Sequence, residues 1–185
     1  MPETNLLREF IKEATAGDLQ AFERIVVLHQ SLVLRVAQRL LLNGEDAKDA
    51  AQEVFIRLHR SLGRFQQEKD FGPWLYRMTV NICHDIRRRR KQEISLDGAM
   101  EMFDLSPSAE ETAVLREQRE LVLAALGELT DREREVIVLR DLEGLSTAEV
   151  AEITGSLETT VRSQISTGRV KIRNHVAARL RRRSL

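Results

Sequence analysis

"TDREREVIVLRDLEGLSTAEVAEITGSLETTVRSQISTGR", Thr130 to Arg169, decides how this chain folds. Thr130 is followed three residues on by Glu133, and Ser146 by Glu149. This is capping-box spacing: the hydroxyl accepts an N–H of the first turn, and the carboxylate takes the N–H of the capping residue. One helix therefore starts at Asp131, and a second covers "STAEVAEITG" and stops at Gly155. Ser156 caps a third, from about Leu157 into the arginines of the tail. A short helix, a glycine turn and a longer basic helix have helix-turn-helix order. In that motif the N-terminal half of the second helix enters the major groove. Here it offers Glu158, Thr159, Thr160, Arg162, Ser163, Gln164 and Ser166 to solvent and turns Val161 and Ile165 inward. Arginine and glutamine pair bidentately with guanine and adenine edges, and serine or threonine reaches bases or phosphates. Arg169, Lys171, Arg173 and the tail would hold phosphates without reading sequence. A helical hairpin that merely packs is the alternative.

Helical periodicity extends toward the N-terminus. Leu6, Leu7, Phe10, Ile11 and Ala14 form a stripe ended by Gly17, and Asp18 caps the next helix. Its apolar positions are Leu19, Phe22, Ile25, Val26, Leu32, Val36 and Leu40. Asp46 starts a third helix with Ala50, Val54, Phe55, Leu58 and Leu62 on one side. Gly72-Pro73 opens a fourth, since proline is tolerated in a first turn; its buried stripe is Leu75, Met78, Thr79, Ile82 and Ile86. Between 92 and 111, "QEISLDGAMEMFDLSPSAEE" loses this order and reads as a linker. A further helix begins near Ser108 and runs through Val114, Leu115, Leu121, Val122 and Leu126. The expected architecture is all-α: a helical bundle over 1–91, an acidic linker over 92–111 and a helix-turn-helix lobe over 112–185.

Of the 185 residues, 42% are hydrophobic and 31% charged, which suits a globular protein. The 29 acids and 29 bases cancel, so attraction to nucleic acid must come from local segregation. Tyr76 to Lys91 holds Arg77, Arg87, Arg88, Arg89, Arg90 and Lys91 against Asp85 alone. Arg169 to Arg183 holds seven bases and no acid, whereas Met100 to Glu120 has six acids against two arginines. Two basic patches flank an acidic middle. Cys83 is the only cysteine, which excludes an internal disulfide and fits a reducing cytoplasm. No apolar run approaches the about 20 residues of a membrane span, and "MPETNLLREF" lacks signal-peptide order. A cytoplasmic chain without direct membrane insertion is expected.

Enzyme chemistry finds little to work with. Cys83, His84 and Asp85 are neighbours on a helix, so their side chains diverge and cannot form a nucleophile–base–orienter line. His29, His59, His84 and His175 lack metal-ligand spacing, and no phosphate-cradling glycine loop is present. No catalytic residue, metal or cofactor is expected.

The segment "LGELTDREREVIVLRDLEGLSTAEVAEITGSLETTVRSQISTGRVKIRNHV" resembles the promoter-binding domain of bacterial sigma factors and, equally, the DNA-binding domain of LuxR-type regulators. The N-terminal half separates the two: "EDAKDAAQEVFIRLHRSLGRF" and "FGPWLYRMTVNICHDIRRRRK" resemble the core domain of extracytoplasmic-function (ECF) sigma factors. That resemblance implies binding to core RNA polymerase, recognition of −10 and −35 promoter elements, promotion of melting, and control by an anti-sigma factor. It assigns Asp49, Gln52, Glu53 and Phe55 to the β′ clamp helices, where a polar and acidic face with one aromatic suits a basic coiled coil. It makes the loop Gln66–Gly72, with Lys69, a base-capturing loop beside the polar positions Asn81 and Asp85. Arg77 and Arg87, Arg88, Arg89 and Arg90 would then hold phosphates of the −10 region. Trp74 and Leu75 match positions buried in the family, and Tyr76 stays open between core and surface. The −35 element falls to Thr159, Thr160, Arg162, Ser163, Gln164, Ser166, Arg169, Lys171 and Arg173, and the C-terminal lobe also to the β flap. The linker can occupy the RNA exit path or act as a plain tether.

The recognition helix departs from the family pattern. Leu157-Glu158-Thr159-Thr160-Val161 stands in place of proline-x-glycine-threonine-valine, and Gln164 and Thr167 stand where arginines are common. Fewer cations imply weaker non-specific affinity and an altered −35 preference. A LuxR-like duplex binder and a sigma-like interaction module remain the alternatives. Selectivity for the melted −10 strand and a working polymerase surface over Asp49–Phe55 discriminate them.

Overall fold

The computed structural model describes residues 2–66, 69–97 and 113–183. Eight α-helices and two short turns of other pitch account for most of them, with no strand among the described residues. In chain order these are α1 (Pro2–Thr15), α2 (Leu19–Leu41), α3 (Gly44–Ser61), a 3-10 turn (Leu62–Arg64), α4 (Phe71–Asp97), α5 (Ala113–Gly127), α6 (Asp131–Ile137), a π-helical turn (Val138–Leu142), α7 (Thr147–Thr154) and α8 (Glu158–Arg183). No described helix is long and apolar enough to cross a membrane. The chain divides into two compact units, Met1–Ala37 with Glu45–Ala99, and Gln38–Gly44 with Met100–Leu185.

In the first unit α1 ends through Gly17, whose φ of +103° suits glycine. Asp18 caps α2, its Oδ1 accepting the N–H groups of Gln20 at 2.8 Å and Ala21 at 3.2 Å. The core takes Ile25, Val33 and Val36 from α2, Ala47, Ala50, Val54 and Leu58 from α3, and Leu75, Thr79 and Ile82 from α4. Leu19, expected inside, is 71% exposed: it occupies the first turn of α2, ahead of the packed stretch that starts at Ala21. Two expected boundaries also move. α3 begins at Gly44, two residues before Asp46, and α4 continues through the arginine run to Asp97, past Lys91. Residues 98–112, which hold most of the expected linker, lie outside the described residues.

The second unit is built on the two capping boxes. Thr130 N–H donates to Glu133 Oε2 at 2.8 Å while Glu133 N–H donates to Thr130 Oγ1 at 3.3 Å. Ser146 and Glu149 repeat the exchange at 2.7 and 3.2 Å. Gly155 ends α7 with φ +63°, so the turn into the last helix requires the left-handed conformation that glycine supplies. α8 starts at Glu158, after Leu157, rather than directly behind Ser156. In α5 Leu126 is buried as expected, together with Leu123 and Ala125, whereas Leu115 and Val122 are exposed, so its inward stripe is only partly the expected one. Buried Arg134 explains how α5 ends inside the unit: its Nε and Nη2 donate to the carbonyls of Leu126 and Leu129, each at 3.0 Å. Leu126 lies in the last turn of α5 and Leu129 just beyond it, where carbonyls lack the full set of helical partners, so the guanidinium holds the helix end and the start of the following turn. α6 and α8 then meet closely at Gly168, where an added Cβ would stand 2.9 Å from Ile137 Cγ1.

Candidate nucleic-acid and partner interfaces

On α3, Asp49, Gln52, Glu53 and Ile56 are spaced three and four apart and share a face. Asp49 and Gln52 are exposed; Glu53 is half-buried and accepts from Arg57 at 3.2 Å. Ile56, 38% exposed among these polar groups, is an apolar member that the sequence reading missed. A large apolar side chain between exposed polar positions is the signal that marked it. Phe55 stands on the flank, half-buried.

The second surface runs from the loop before α4 along that helix. Phe65 and Phe71 bracket the loop and pack with Trp74, at centroid separations of 4.9 Å for Phe65–Trp74 and 5.8 Å for Phe71–Trp74. His29 meets the Phe71 ring edge-on at 5.1 Å. The aromatics thus anchor the loop ends, and Tyr76, only 7% exposed, belongs to the core. The loop tip carries exposed Lys69, whose N–H donates to the Gln66 carbonyl at 2.9 Å; residues 67 and 68 lie outside the described residues. Along α4, Arg77 and Asn81 are exposed and Asp85 is half-buried. Asp85 pairs with Arg88 at 3.1 Å and lies 4.0 Å from Arg57 of α3. Arg90 pairs with Asp46 of α3, and Arg87 is half-buried. Exposed Arg89 completes the run. The cations expected to act together therefore differ: Arg88 and Arg90 also bind carboxylates of their own unit. Cys83 is buried within the same helix.

The third surface is the outward face of α8. Val161, Ile165 and Gly168 are buried, and Thr159, Thr160, Arg162, Ser163, Ser166, Arg169 and Arg173 are exposed. Gln164 and Lys171 are half-buried. The Thr167 hydroxyl donates to the Ser163 carbonyl at 3.1 Å. Three of the cations on α8 have carboxylate partners. Arg162 donates to Glu158 at 2.6 Å. Arg169 forms a two-pronged pair with Asp141, at 2.6 Å to Oδ1 and 2.9 Å to Oδ2. Lys171 donates to Glu133 Oε2 at 2.8 Å, the same oxygen that closes the Thr130 capping box. Burial works to raise the Glu133 carboxyl pKa, but the hydrogen bonds from Lys171 and Thr130 and the Lys171 charge outweigh it, so it lies below the ordinary 4.5. The Ser146 hydroxyl and N–H lower Glu149 likewise, and Asp141 raises the already high pKa of Arg169. The Asp141 partnership depends on the π-helical turn, in which Glu143 N–H reaches back to the Val138 carbonyl at 2.9 Å. The Arg169–Asp141 and Lys171–Glu133 pairings were not legible in the sequence, because their partners are 28 and 38 residues apart.

Residues 25–93 match the family model for sigma-70 region 2, and residues 119–172 the model for sigma-70, region 4. The chain is 32% identical over 182 residues to the ECF RNA polymerase sigma-E factor of Escherichia coli K12, covering 93% of this chain and 95% of that one. It is 29% identical over 181 residues to the ECF RNA polymerase sigma factor SigW of Bacillus subtilis, covering 92% and 97%. Among solved structures, CnrH in complex with the cytosolic domain of CnrY is similar with a TM-score of 0.68 and 25% identity, covering 94% of this chain and 98% of that one. The sigma factor RpoE of Bartonella quintana, solved with the anti-sigma factor NepR, shares the fold with a TM-score of 0.74 at 22% identity, covering 86% and 98%.

Proposed function

Because this chain belongs to the ECF sigma factors of bacterial RNA polymerase, we propose that its three surfaces divide the work of promoter recognition residue by residue. Such a chain binds core RNA polymerase and promoter DNA and directs transcription initiation. In the proposed division, Asp49, Gln52, Glu53 and Phe55, joined by Ile56, engage the β′ clamp helices. An apolar side chain ringed by polar ones suits the centre of a protein contact, with the charges fixing register at the rim.

The loop carrying Lys69, with Asn81 and Asp85, receives the −10 element as its strands separate, and Arg77 and Arg87, Arg88, Arg89 and Arg90 follow the backbone phosphates. Aromatics stack bases at about 1–3 kcal/mol each in other proteins, but here Phe65, Phe71 and Trp74 pack edge-on or tilted against one another. Their part is to hold the loop. The C-terminal lobe reads the −35 element through Thr159, Thr160, Arg162, Ser163, Gln164 and Ser166, with Arg169, Lys171 and Arg173 toward phosphates, and contacts the β flap. The protein works in the cytoplasm as a non-catalytic, dissociable subunit. An anti-sigma factor that covers these surfaces completes the reading, as family membership implies.

The observation that supports this division best is the sorting of α8 into a buried line of Val161, Ile165 and Gly168 and an outward face of polar and cationic residues, behind a capped α7. The test is run-off transcription with purified core polymerase, with and without the protein, on a library of genomic promoters. Starts that depend on the protein and share two spaced elements support the reading. Core binding without specific starts would move promoter choice to an additional activator. Absence of core binding would refute the assignment of α3.

A further inference from the structure

Glu158 opens α8, and its Oε2 accepts from Arg162 Nη2 at 2.6 Å one turn on, with the two side chains 45% and 64% exposed. A carboxylate on a helix that enters DNA is repelled by phosphates; here Arg162 offsets that repulsion, and a base edge that donates a hydrogen bond gives the carboxylate a partner within the groove. The major groove offers two exocyclic donors, cytosine N4 and adenine N6. Adenine places the N7 lone pair beside its donor, against the second carboxylate oxygen, whereas cytosine has no acceptor there. The carboxylate therefore discriminates in favour of cytosine. Arg162 is the only cation between Glu158 and Gly168. It carries five N–H donors and commits one to Glu158, so it retains a fork that fits guanine O6 and N7. The two residues sit four positions apart, a rise of about 6 Å, which spans one to two base-pair steps of about 3.4 Å. The rest of that half-helix is less discriminating: Gln164 is half-buried, Thr167 is bonded to Ser163, and Thr159, Ser163 and Ser166 carry hydroxyls that serve any base.

We propose that Glu158 and Arg162 act as one base-reading pair, Glu158 selecting cytosine and Arg162 guanine within the −35 element. The mutual ion pair orients both side chains before DNA arrives and neutralises the acid until a base donor takes its place. The proposal rests on α8 being the −35 reader.

The test is run-off transcription by core polymerase reconstituted with the full chain, on promoters with a fixed −10 region and a randomised −35 region, for the wild type, Glu158→Gln, Glu158→Ala and Arg162→Lys. The wild type should enrich cytosine at one position and guanine within two base pairs of it. Glu158→Gln should move the first preference from cytosine to adenine, because glutamine pairs with N6 and N7 together. Glu158→Ala should flatten it, and Arg162→Lys should weaken the guanine preference, each by about tenfold. Unchanged far-UV circular dichroism would exclude misfolding at these exposed positions. Base preferences identical to the wild type at every position in both Glu158 variants would overturn the proposal while leaving α8 as the reader. If even the wild type showed no −35 preference, the reading of α8 would fall, and this pair with it.

Discussion

Replacing Gly168 with alanine tests the closeness of the α6–α8 contact on which the C-terminal lobe depends. The new Cβ would stand 2.9 Å from Ile137 Cγ1 and 3.3 Å from Cδ1, with Glu133 Cβ at 3.8 Å. Cγ1 lies in the middle of its side chain, and Ile137 is only 2% exposed, so relief requires moving a packed residue rather than the end of a flexible one. Such overpacking costs about 1–3 kcal/mol. Alanine in place of glycine inside a helix returns about 1 kcal/mol. The net loss should be about 1 kcal/mol. Ile137→Ala alone should lose about 2–5 kcal/mol through the cavity it leaves. In the double variant the alanine methyl of residue 168 fills part of that space, so the two losses should fall short of additivity by about 1 kcal/mol or more. Urea unfolding of the full chain, followed by far-UV circular dichroism, measures all three. Trp74 is the single tryptophan, and its fluorescence follows the first unit alongside. A Gly168→Ala variant more stable than wild type, or strictly additive losses, would refute the close approach.

Other outcomes follow from the ion pairs and the proposed surfaces. Asp141→Asn removes the negative charge that pairs with Arg169, so duplex affinity should rise and the log–log salt slope steepen by about 0.9, one phosphate contact; gel-shift titrations over a range of salt would expose an unchanged slope. Arg89→Ala should lower the salt dependence of promoter binding by the same amount, whereas Arg90→Ala should act more on stability, because Arg90 pairs with Asp46; equal effects on both readouts would contradict this. Asp49→Ala combined with Gln52→Ala should weaken binding to core polymerase and leave affinity for −35 duplex unchanged, as fluorescence anisotropy can report. The folded pKa of Glu133 lies below the ordinary 4.5, so the unfolded chain takes up the proton first and stability is lost as pH falls through the folded value. Glu133→Gln should flatten that part of the pH–stability curve in urea titrations carried down to about pH 4.

Much of this was legible in the chain because its signals are local. The hydroxyl–carboxylate spacing at Thr130–Glu133 and Ser146–Glu149 marked two helix starts within a residue, since a capping box is closed by groups three residues apart. Burial of Val161 and Ile165 followed from helical period alone. What escaped the reading was set by partners distant in sequence. Leu115 and Val122 look as apolar as Leu123, and the packing partner of α5 selects between them. Arg169 and Lys171 read as free phosphate ligands in a run of cations, yet their carboxylates belong to residues before α7. Arg134 reads as another surface charge, and its place beneath the end of α5 depends on carbonyls that a sequence does not display. Ile56 was passed over because the family pattern directed attention to the polar positions around it.

The turn at Val138–Leu142 has a consequence for chain length. A π-helical turn is a regular helix with one residue too many, housed as a local widening. A deletion within Val138–Leu142 would let α6 close as an unbroken α-helix, swinging Asp141 about 100° around the axis and out of reach of Arg169. A relative that lacks this residue would have to orient its own arginine by other means or leave it swinging in solvent. The lobe's ability to hold a cation ready at the edge of the reading face thus depends on the one extra residue that the widened turn accommodates.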